Sequence, residues 1–373
     1  MKNLNPEVST PIYFGVAIWG KTFCQEFMEY GLLSLLASGN IPALPNFKNQ
    51  NRFLFCTTSE DWEWLQLHPS FMLLNRYITA ERIPLDLISE EEYQKLGVKL
   101  AYKLYVVTGA HAALVSRMYQ VKCIGSIIFP DTVYAKDSLK SVYPHILKED
   151  KKAVLVHFPR FSTPELFKDL KEHGYIKPQT PIEIENRELI KNALKYRNLD
   201  ILVQNWEKSL YASGTITDLW WSISKNEGML FHSVMWWPIF IDYSKLTSHN
   251  TECLKHSTID ASYLYNNFIK DDLHVIMDSD EFIMISYGPH SNFRLKNIGG
   301  GGRSNHISKI IHWRAMIKSL TWFIDPLKLE LLKYPVFVHV NDLTRKDYKI
   351  EKKSRRIMQK ILSKPNKCKL IFK

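Results

Sequence analysis

Apolar and polar residues alternate along the first 160 positions in a pattern that predicts strands and helices in turn. Short apolar runs of strand length occupy 11–18, 52–56, 82–88, 124–129 and 151–158. Apolar residues recur at helical spacing over 22–38 and 90–120. A further helix is predicted after TTSED at 57–61, where the polar composition is typical of a helix N-terminus with a capping box.

This alternation predicts an α/β fold, with a mostly parallel central sheet and helices on both of its faces. In such sheets ligands bind at the carboxyl ends of the strands. The TTSED stretch follows the second apolar run, and Asp131 follows the fourth. We therefore expect a ligand site at the sheet edge that carries both features.

The pattern changes after about residue 160. Residues 163–200 have a helical and highly charged pattern, 218–242 are dense in tryptophan, and 273–287 predict two short strands around an acidic turn. No linker separates the two halves, so the second half is predicted to be a subdomain built onto the first sheet. The predicted units are an α/β core, an aromatic-rich subdomain and a basic tail, over 1–160, 161–343 and 344–373.

Composition narrows the class of protein. Hydrophobic residues make up 45% of the 373-residue chain and aromatic residues 13%, which excludes wholesale disorder. The five cysteines are scattered and form no CxxC pair, which favours reduced thiols over a disulfide framework or a zinc site. There is no signal-peptide core, and no apolar run reaches the roughly 18 residues of a membrane span, so we expect a cytoplasmic protein.

The net charge of +11 is concentrated in one segment. Residues 345–373 contain 12 Lys and Arg against two acidic residues, so the first 344 residues carry only +1. An apolar stripe at helical spacing accompanies the basic residues, formed by Ile350, Ile357, Ile361 and Leu362. Two interpretations remain open. The segment is a docked helix whose basic face is solvated, or it makes peripheral contact with an anionic membrane. Nucleic-acid binding is least favoured, because aromatic residues are not interleaved with the basic ones.

The segment IIFPDTVYAKDSL (127–139) places a single carboxylate after a strand expected to be buried. Mg²⁺ and Mn²⁺ prefer oxygen ligands, and one or two carboxylates can hold them together with substrate phosphates. Pro130 restricts the chain where Asp131 is presented, which favours a functional role for this aspartate. A turn or a helix cap is the alternative.

Several stretches together resemble the nucleotide-sugar domain of glycosyltransferases with a GT-A fold. The order is strand, helix, strand, a "T…ED" helix start, and later an apolar strand that ends in Asp before "DSL". More narrowly, 13–44, 52–65 and the run from GMLFHS at 228 to MDSDEF at 277–282 resemble a largely uncharacterised bacterial glycosyltransferase-like family. The resemblance covers about residues 12–290. It implies a nucleoside-diphosphate sugar as donor and Mn²⁺ or Mg²⁺ as a candidate cofactor.

In GT-A enzymes the strand that corresponds to 124–129 usually ends in a DxD motif, whose carboxylates bind a cation on the diphosphate leaving group. This chain has Phe129 two positions before Asp131, so one aspartate is left. Metal binding would require Asp131 and a ligand from elsewhere, or the reaction would proceed without metal. The resemblance makes Asp131 the metal or diphosphate candidate.

Candidates for nucleotide binding lie at two places. At the helix N-terminus, hydroxyls, carboxylates and free backbone N–H groups come from Thr57, Thr58, Glu60 and Asp61, with plain N-capping as the alternative. The GGGGR stretch at 299–303 could cradle phosphate, with Arg303 as the counter-charge, or form a loop that closes over the donor. A linker is its alternative.

Candidates on the acceptor side are less specific. By the resemblance, Asp260 in TIDASYL is a candidate base for the acceptor hydroxyl, with a helix cap as the alternative. His232 lies between two tryptophan pairs and is a second candidate base or ligand, although a lone histidine among aromatic residues is more often a core residue. Asp278, Asp280 and Glu281 in DSDE are the second choice for a metal site, or an exposed hairpin turn.

These observations together predict a glycosyltransferase that moves a sugar to a glycan, lipid-linked or protein hydroxyl acceptor. The absence of GxSxG, HExxH and EF-hand patterns leaves serine hydrolase, zincin and calcium-sensor functions without support. A non-catalytic carbohydrate-binding or scaffold protein on a degenerate fold is the alternative, because Asp131 lacks its usual partner.

Overall fold

The computed structural model describes residues 10–45, 49–97, 101–148, 150–197, 201–202, 204–207, 211–212, 218–260, 262–288, 298–299, 306–319 and 325–363. The strands within these ranges are β1 Ile12–Ala17, β2 Arg52–Thr57, β3 Thr79–Pro84, β4 Ile124–Ile128, β5 Thr132–Tyr134, β6 Ala153–Val156, β7 Arg160–Ser162, β8 Tyr211–Ala212, β9 Asp218–Ile223, β10 Gly228–Ser233, β11 Trp237–Asp242, β12 Leu273–Val275, β13 Met284–Gly288, β14 Ile298–Gly299 and β15 Val336–His339.

Seven of these strands form the central sheet, in the order β12-β6-β11-β4-β1-β2-β3. All neighbours pair in parallel except β11, which is antiparallel to both β4 and β6. The predicted α/β class with a mostly parallel sheet is therefore confirmed. Because β11 and β12 come from the second half of the chain, that half completes the sheet that the first half begins.

The described helices are α1 Lys21–Glu26, α2 Leu32–Leu35, α3 Ser59–Leu67, α4 Pro69–Leu74, α5 Glu90–Lys95, α6 Tyr102–Val121, α7 Ser138–Ile146, α8 Thr163–Glu172, α9 Asn186–Ala193, α10 Ser262–Asn267, α11 His306–Ser319, α12 Pro326–Leu331 and α13 Arg345–Leu362. A π-helical turn over Phe27–Gly31 joins α1 to α2. None of the helices in the described part of the chain combines the length and the apolar composition that crossing a membrane requires.

Helices cover both faces of the sheet, as predicted. Neighbouring residues of a strand point to opposite faces. A Cβ at Gly15 would lie 2.8 Å from Leu114 of α6, so the glycine lets α6 approach that face closely. Phe14 lies on the other face, where its ring packs at 6.5 Å from Phe240, and Phe240 in turn packs against Tyr143 of α7.

Three predicted elements differ from those observed. The edge strand β3 begins three residues before the predicted run 82–88, because its polar positions pair with β2 without needing burial. The helical pattern over 90–120 is divided into α5 and α6, and Gly97 takes a left-handed φ of 64° shortly after α5 ends. The two strands predicted around the acidic turn do not pair with each other, since β12 joins the central sheet and β13 joins β5 and β7.

Two smaller sheets adjoin the central one. The sheet β5-β13-β7 lies next to the carboxyl end of β4, since β5 begins four residues after β4 ends. The sheet β15-β10-β9 packs with α13 in a second apolar core that contains Trp221, Leu230 and Ile357. The division at residues 160 and 343 stays a prediction.

Candidate functional site at the carboxyl edge of the central sheet

Functional candidates lie at several strand ends along one edge of the sheet. Because β11 is antiparallel to both of its neighbours, β6 and β12 run in the same direction as β4. Thr57 ends β2, Asp131 follows β4, Arg160 follows β6 and Asp278 follows β12, so all four lie along the carboxyl edge. Strands in a sheet are about 4.8 Å apart, which separates the end of β12 from that of β4 by roughly 14 Å.

Asp131 lies between β4 and the sheet β5-β13-β7. Its backbone carbonyl accepts a hydrogen bond of 3.0 Å from the Tyr287 N–H. Its carboxylate accepts a hydrogen bond of 3.4 Å from the Ser286 hydroxyl, and the Arg160 Nε lies 3.4 Å from the same hydroxyl. These side-chain contacts are long for hydrogen bonds to a charged group. Within the described residues, the carboxylate therefore lacks strong hydrogen-bond donors.

A second carboxylate, that of Glu26 at the end of α1, is close enough to Asp131 to interact with it. Burial raises the pKa of Asp131, while Arg160 and the exposed Lys103 act in the opposite direction. Burial also raises the pKa of Glu26, and the negative charges of Asp131 and Glu29 raise it further. Two partly desolvated carboxyl groups thus share one region of the edge.

This pair offers two oxygen ligands of the kind that a divalent cation prefers. A carboxylate that is removed from water without strong donors is costly, and it is either protonated or neutralised by a cation. Mg²⁺ and Mn²⁺ prefer carboxylate oxygens and complete their coordination with water and phosphate. Asp131 and Glu26 would hold such an ion, and the ion would neutralise charge that develops on a diphosphate.

The residues at the start of α3 have mainly structural contacts. The Thr58 side chain caps α3 by accepting from the Asp61 N–H at 3.2 Å, and it donates to the Asp61 carboxylate at 2.8 Å. The same carboxylate accepts from the Gly20 N–H at 2.9 Å and so ties the turn after β1 to α3. Glu60 is exposed. Thr57 is fully buried, and its hydroxyl has no hydrogen-bond partner within the described chain.

The substitution Thr58→Ala is expected to destabilise the protein by about 1 kcal/mol, because it removes the cap of α3. Thr57→Val is a matched control: it removes an unpartnered hydroxyl at nearly constant volume, so little change in stability is expected. Urea unfolding of both variants measures the difference. Equal losses would show that Thr58 does not act as a cap.

Asp260 lies in a buried group of charged and polar side chains. It is 6% exposed and contacts the Thr258 hydroxyl. Its charge raises the pKa of Lys328, but burial is the larger effect and lowers the pKa of this lysine to about 8. Burial likewise lowers the pKa of His111 to about 4, with Asp260 again acting in the opposite direction. Asp260 thus lies in a buried polar environment close to Lys328 and His111.

Aromatic contacts connect this group to the edge that carries Asp131. The His111 ring packs at 6.0 Å from Trp237, the first residue of β11. The ring of Phe129, two residues before Asp131, packs at 3.7 Å from Trp237. Trp237 therefore bridges the surroundings of Asp260 and the end of β4.

His232 does not belong to this edge. It is fully buried in β10, its Nδ1 lies 2.9 Å from the Leu332 carbonyl, and its Nε2 lies 2.9 Å from the Ser354 hydroxyl. Burial lowers the pKa of His232 to about 4. Both ring nitrogens are occupied by the protein, so the geometry contradicts the predicted catalytic role and assigns His232 to the core.

Asp278 and Asp280 form a second acidic group with His339. Each of the three offers a ligand atom, and these atoms lie within 4.8 Å of one another. His339 Nδ1 lies 2.7 Å from the Asn341 carbonyl, which directs Nε2 towards Asp278 at 2.9 Å. Arg187 already binds Asp280 through two hydrogen bonds of 2.8 and 2.6 Å. The group could hold a cation, but Asp280 is already neutralised by an internal partner.

Glu281 belongs to a different group, with His145 and His274. Their ligand atoms also lie within 4.8 Å of one another. The Lys148 ammonium lies 3.0 Å from His145 Nδ1 and can only donate, so the proton of a neutral His145 is on Nε2, which contacts Glu281. This protonation satisfies the group without a metal ion.

Because of the Asp278–His339 pair, we expect the stability of the fold to depend on pH. Burial alone would lower the pKa of His339, but the hydrogen bond and charge of Asp278 outweigh it and raise the pKa overall. The pair therefore stabilises the fold below the unfolded-state pKa, and this contribution is lost as pH rises through the folded-state pKa. Asp278→Asn is expected to cost more stability at about pH 5.5 than at about pH 8.5. Urea unfolding at both pH values tests this, and equal costs would contradict it.

Several residues of the site were not predicted from sequence. Glu26, Arg160 and Ser286 converge on Asp131 from three distant parts of the chain. Arg160 could have been found, because it follows the fifth predicted strand at the same edge. Glu26 and Ser286 carry no comparable signal. Arg303 and most of the glycine run lie outside the described residues.

No protein-family model matches this chain, and no curated protein sequence matches it. Among solved structures, it is similar to mouse xyloside xylosyltransferase 1 in its apo form, at 11% identity and a TM-score of 0.27 over 44% of this chain and 59% of that chain. It is also similar to S. aureus TarS, at 10% identity and a TM-score of 0.26 over 49% of this chain and 33% of that chain. A third similar structure is S. aureus TarS 1-349 in complex with UDP-GlcNAc, at 11% identity and a TM-score of 0.32 over 87% of this chain and 70% of that chain. The chain thus spans less than two thirds of the first two proteins.

Proposed function

We propose that this protein is a glycosyltransferase that moves a sugar from a nucleoside-diphosphate donor to a hydroxyl acceptor. The observation that carries the proposal is the pair of desolvated carboxyl groups, Asp131 and Glu26, at the carboxyl edge of a mostly parallel sheet. Ligands of α/β sheets bind at this edge. Exposed cationic groups stand next to the pair, as a phosphate ligand requires.

On the donor side, Asp131 and Glu26 would hold Mn²⁺ or Mg²⁺, and the cation would supply positive charge for a bound diphosphate. Arg160 and Lys103 are exposed, and both act on the charge of Asp131, so they are placed to contact phosphate oxygens. The backbone N–H groups at the start of α3, next to the buried Thr57, bind the nucleotide. Fixed charges directed at the leaving diphosphate supply the main part of catalysis.

On the acceptor side, Asp260 deprotonates the attacking hydroxyl. A carboxylate in this role needs to stay ionised and to be held in one orientation. Lys328 is buried near Asp260, and the Thr258 hydroxyl contacts the Asp260 carboxylate and holds it in place. The buried Trp237 packs against both His111 and Phe129 and so connects this group to the donor side.

A second candidate function is that of a non-catalytic carbohydrate-binding or scaffold protein. It is favoured by Phe129, which stands where a DxD motif would place the partner of Asp131, and by Arg187, which neutralises Asp280 in the other acidic group of this edge. The two candidates differ in one property, since only the transferase binds a nucleotide sugar in a cation-dependent way.

Calorimetric titration with a panel of UDP- and GDP-sugars, with and without Mn²⁺, tests the proposal. We expect binding of at least one donor that is strengthened by Mn²⁺ and followed by slow release of the nucleoside diphosphate. Binding of free glycans without any nucleotide binding would favour the non-catalytic alternative and overturn the proposal.

A further inference from the structure

The C-terminal helix α13 is fixed to the body of the protein along its whole length. At its N-terminal end, the Asp347 carboxylate closes a capping box with Thr344 and accepts a hydrogen bond of 2.7 Å from the Ser224 N–H. Further along, the Ser354 hydroxyl meets the buried His232. Near its C-terminal end, apolar side chains including Ile357 pack into the second core. One side of the helix is therefore committed to internal packing.

The side that faces solvent carries a continuous basic face. We define this basic face by the exposed residues Arg345, Lys346, Lys349, Lys352, Lys353, Arg356 and Lys360. At 100° per residue the seven side chains lie within an arc of about 120°, and the face is about 22 Å long. None of the seven forms an ion pair within the described part of the chain. The two acidic residues of the helix lie outside the arc, and Glu351 is paired with Arg355.

We propose that the basic face docks the protein on an anionic membrane surface, with lipid headgroups as its ligands. Neighbouring cations on the basic face lie within a Debye length of each other and repel, and an array of anions would relieve this repulsion. Clusters of four to eight Lys and Arg are typical of surfaces that bind anionic lipids. The inference rests on α13 alone and not on the proposed transferase activity.

The geometry favours a lipid surface over nucleic acid. Base readout in a duplex commonly uses Asn, Gln, Asp or Glu side chains beside the basic ones, whereas all seven residues of the basic face are Lys or Arg. Single strands need aromatic rings to stack on, and the only exposed aromatic side chain of this helix is Tyr348. A flat array of headgroups meets a straight exposed face without either requirement. The apolar side of α13 is turned inward, so binding is electrostatic and reversible.

Co-sedimentation of the full chain with vesicles tests the inference. We expect binding to vesicles of phosphatidylcholine with 30% phosphatidylserine, little binding to pure phosphatidylcholine, and a steep loss as NaCl is raised. Replacing Lys349, Lys352, Lys353 and Arg356 with Gln should lower the partition coefficient about tenfold or more. The matched control replaces four exposed lysines elsewhere with Gln, at Lys95, Lys168, Lys191 and Lys255. It removes the same charge and should retain most of the binding.

Three results would overturn the inference. One is the absence of binding to the anionic vesicles. Another is an equal loss in the control variant, which would mean that net charge alone drives adsorption. The third is tighter binding of a DNA or RNA duplex than of the vesicles under the same salt conditions. Circular dichroism of both variants verifies that they are folded, and nucleotide-sugar titration with the same variants keeps this result separate from the proposed activity.

Discussion

Replacing Asp131 with asparagine is expected to weaken Mn²⁺-dependent binding of the nucleotide sugar by roughly 100-fold, because a direct ligand of the cation is lost. The same variant should be no less stable than the wild type, and more stable at neutral pH without cation. The raised pKa of Asp131 means that its ionised form is disfavoured in the folded state. Stability from this group is present below its unfolded-state pKa and is lost as pH rises through the folded-state pKa.

Calorimetric titration and thermal unfolding of the same preparation measure both effects. Asp278→Asn is the matched control, because it makes the same chemical change in the other acidic group at this edge. We expect the control to keep cation-dependent binding and to lose stability. If Asp278→Asn abolished binding and Asp131→Asn did not, the cation would belong to the Asp278–Asp280–His339 group instead.

The pH dependence of cation binding gives a further readout of the same prediction. Protons compete with the cation for Asp131 and Glu26, and both of their pKa values are raised by burial. Mn²⁺ affinity should therefore begin to fall on acidification at a higher pH than for an ordinary exposed carboxylate. Affinity that stays constant down to the ordinary carboxyl range would contradict cation binding at this pair.

The second large effect is expected for Asp260→Asn. Loss of a general base typically lowers the rate of the chemical step by about 10²- to 10⁴-fold. Donor binding should be unchanged, because Asp260 is separated from Asp131 by Trp237 and Phe129. Transfer assays and donor titration on one preparation separate the two quantities.

Two controls make the Asp260 prediction specific. Asp271→Asn, which changes an exposed aspartate near β12, should leave both transfer and donor binding intact. Asp260→Ala should show a rate loss similar to that of Asp260→Asn, since both lack the carboxylate. A variant that lost donor binding together with transfer would show that Asp260 shapes the donor site and is not the base.

The sequence alone determined the features that depend on neighbouring residues. Apolar runs located β1, β2, β3, β4 and β6, and the polar TTSED stretch indicated the cap at the start of α3. The parallel alternation implied that strand ends share one edge, which is why Thr57 and Asp131 were expected there. The basic residues of α13 were also evident, since charge composition needs no tertiary information.

Tertiary structure decided everything that depends on pairing between distant segments. Strand β11 pairs with β4 in the central sheet although more than 100 residues separate them in the chain. The strands on either side of DSDE belong to two different sheets. Both outcomes depend on how whole strand faces pack, which neighbouring residues do not determine. The same long-range packing buried His232 against Ser354 and brought Glu26 to Asp131. It also turned the apolar side of α13 inward and left its cations in solvent. The local sequence pattern shows which face of a helix or strand is apolar, and only the complete fold shows which element packs against that face.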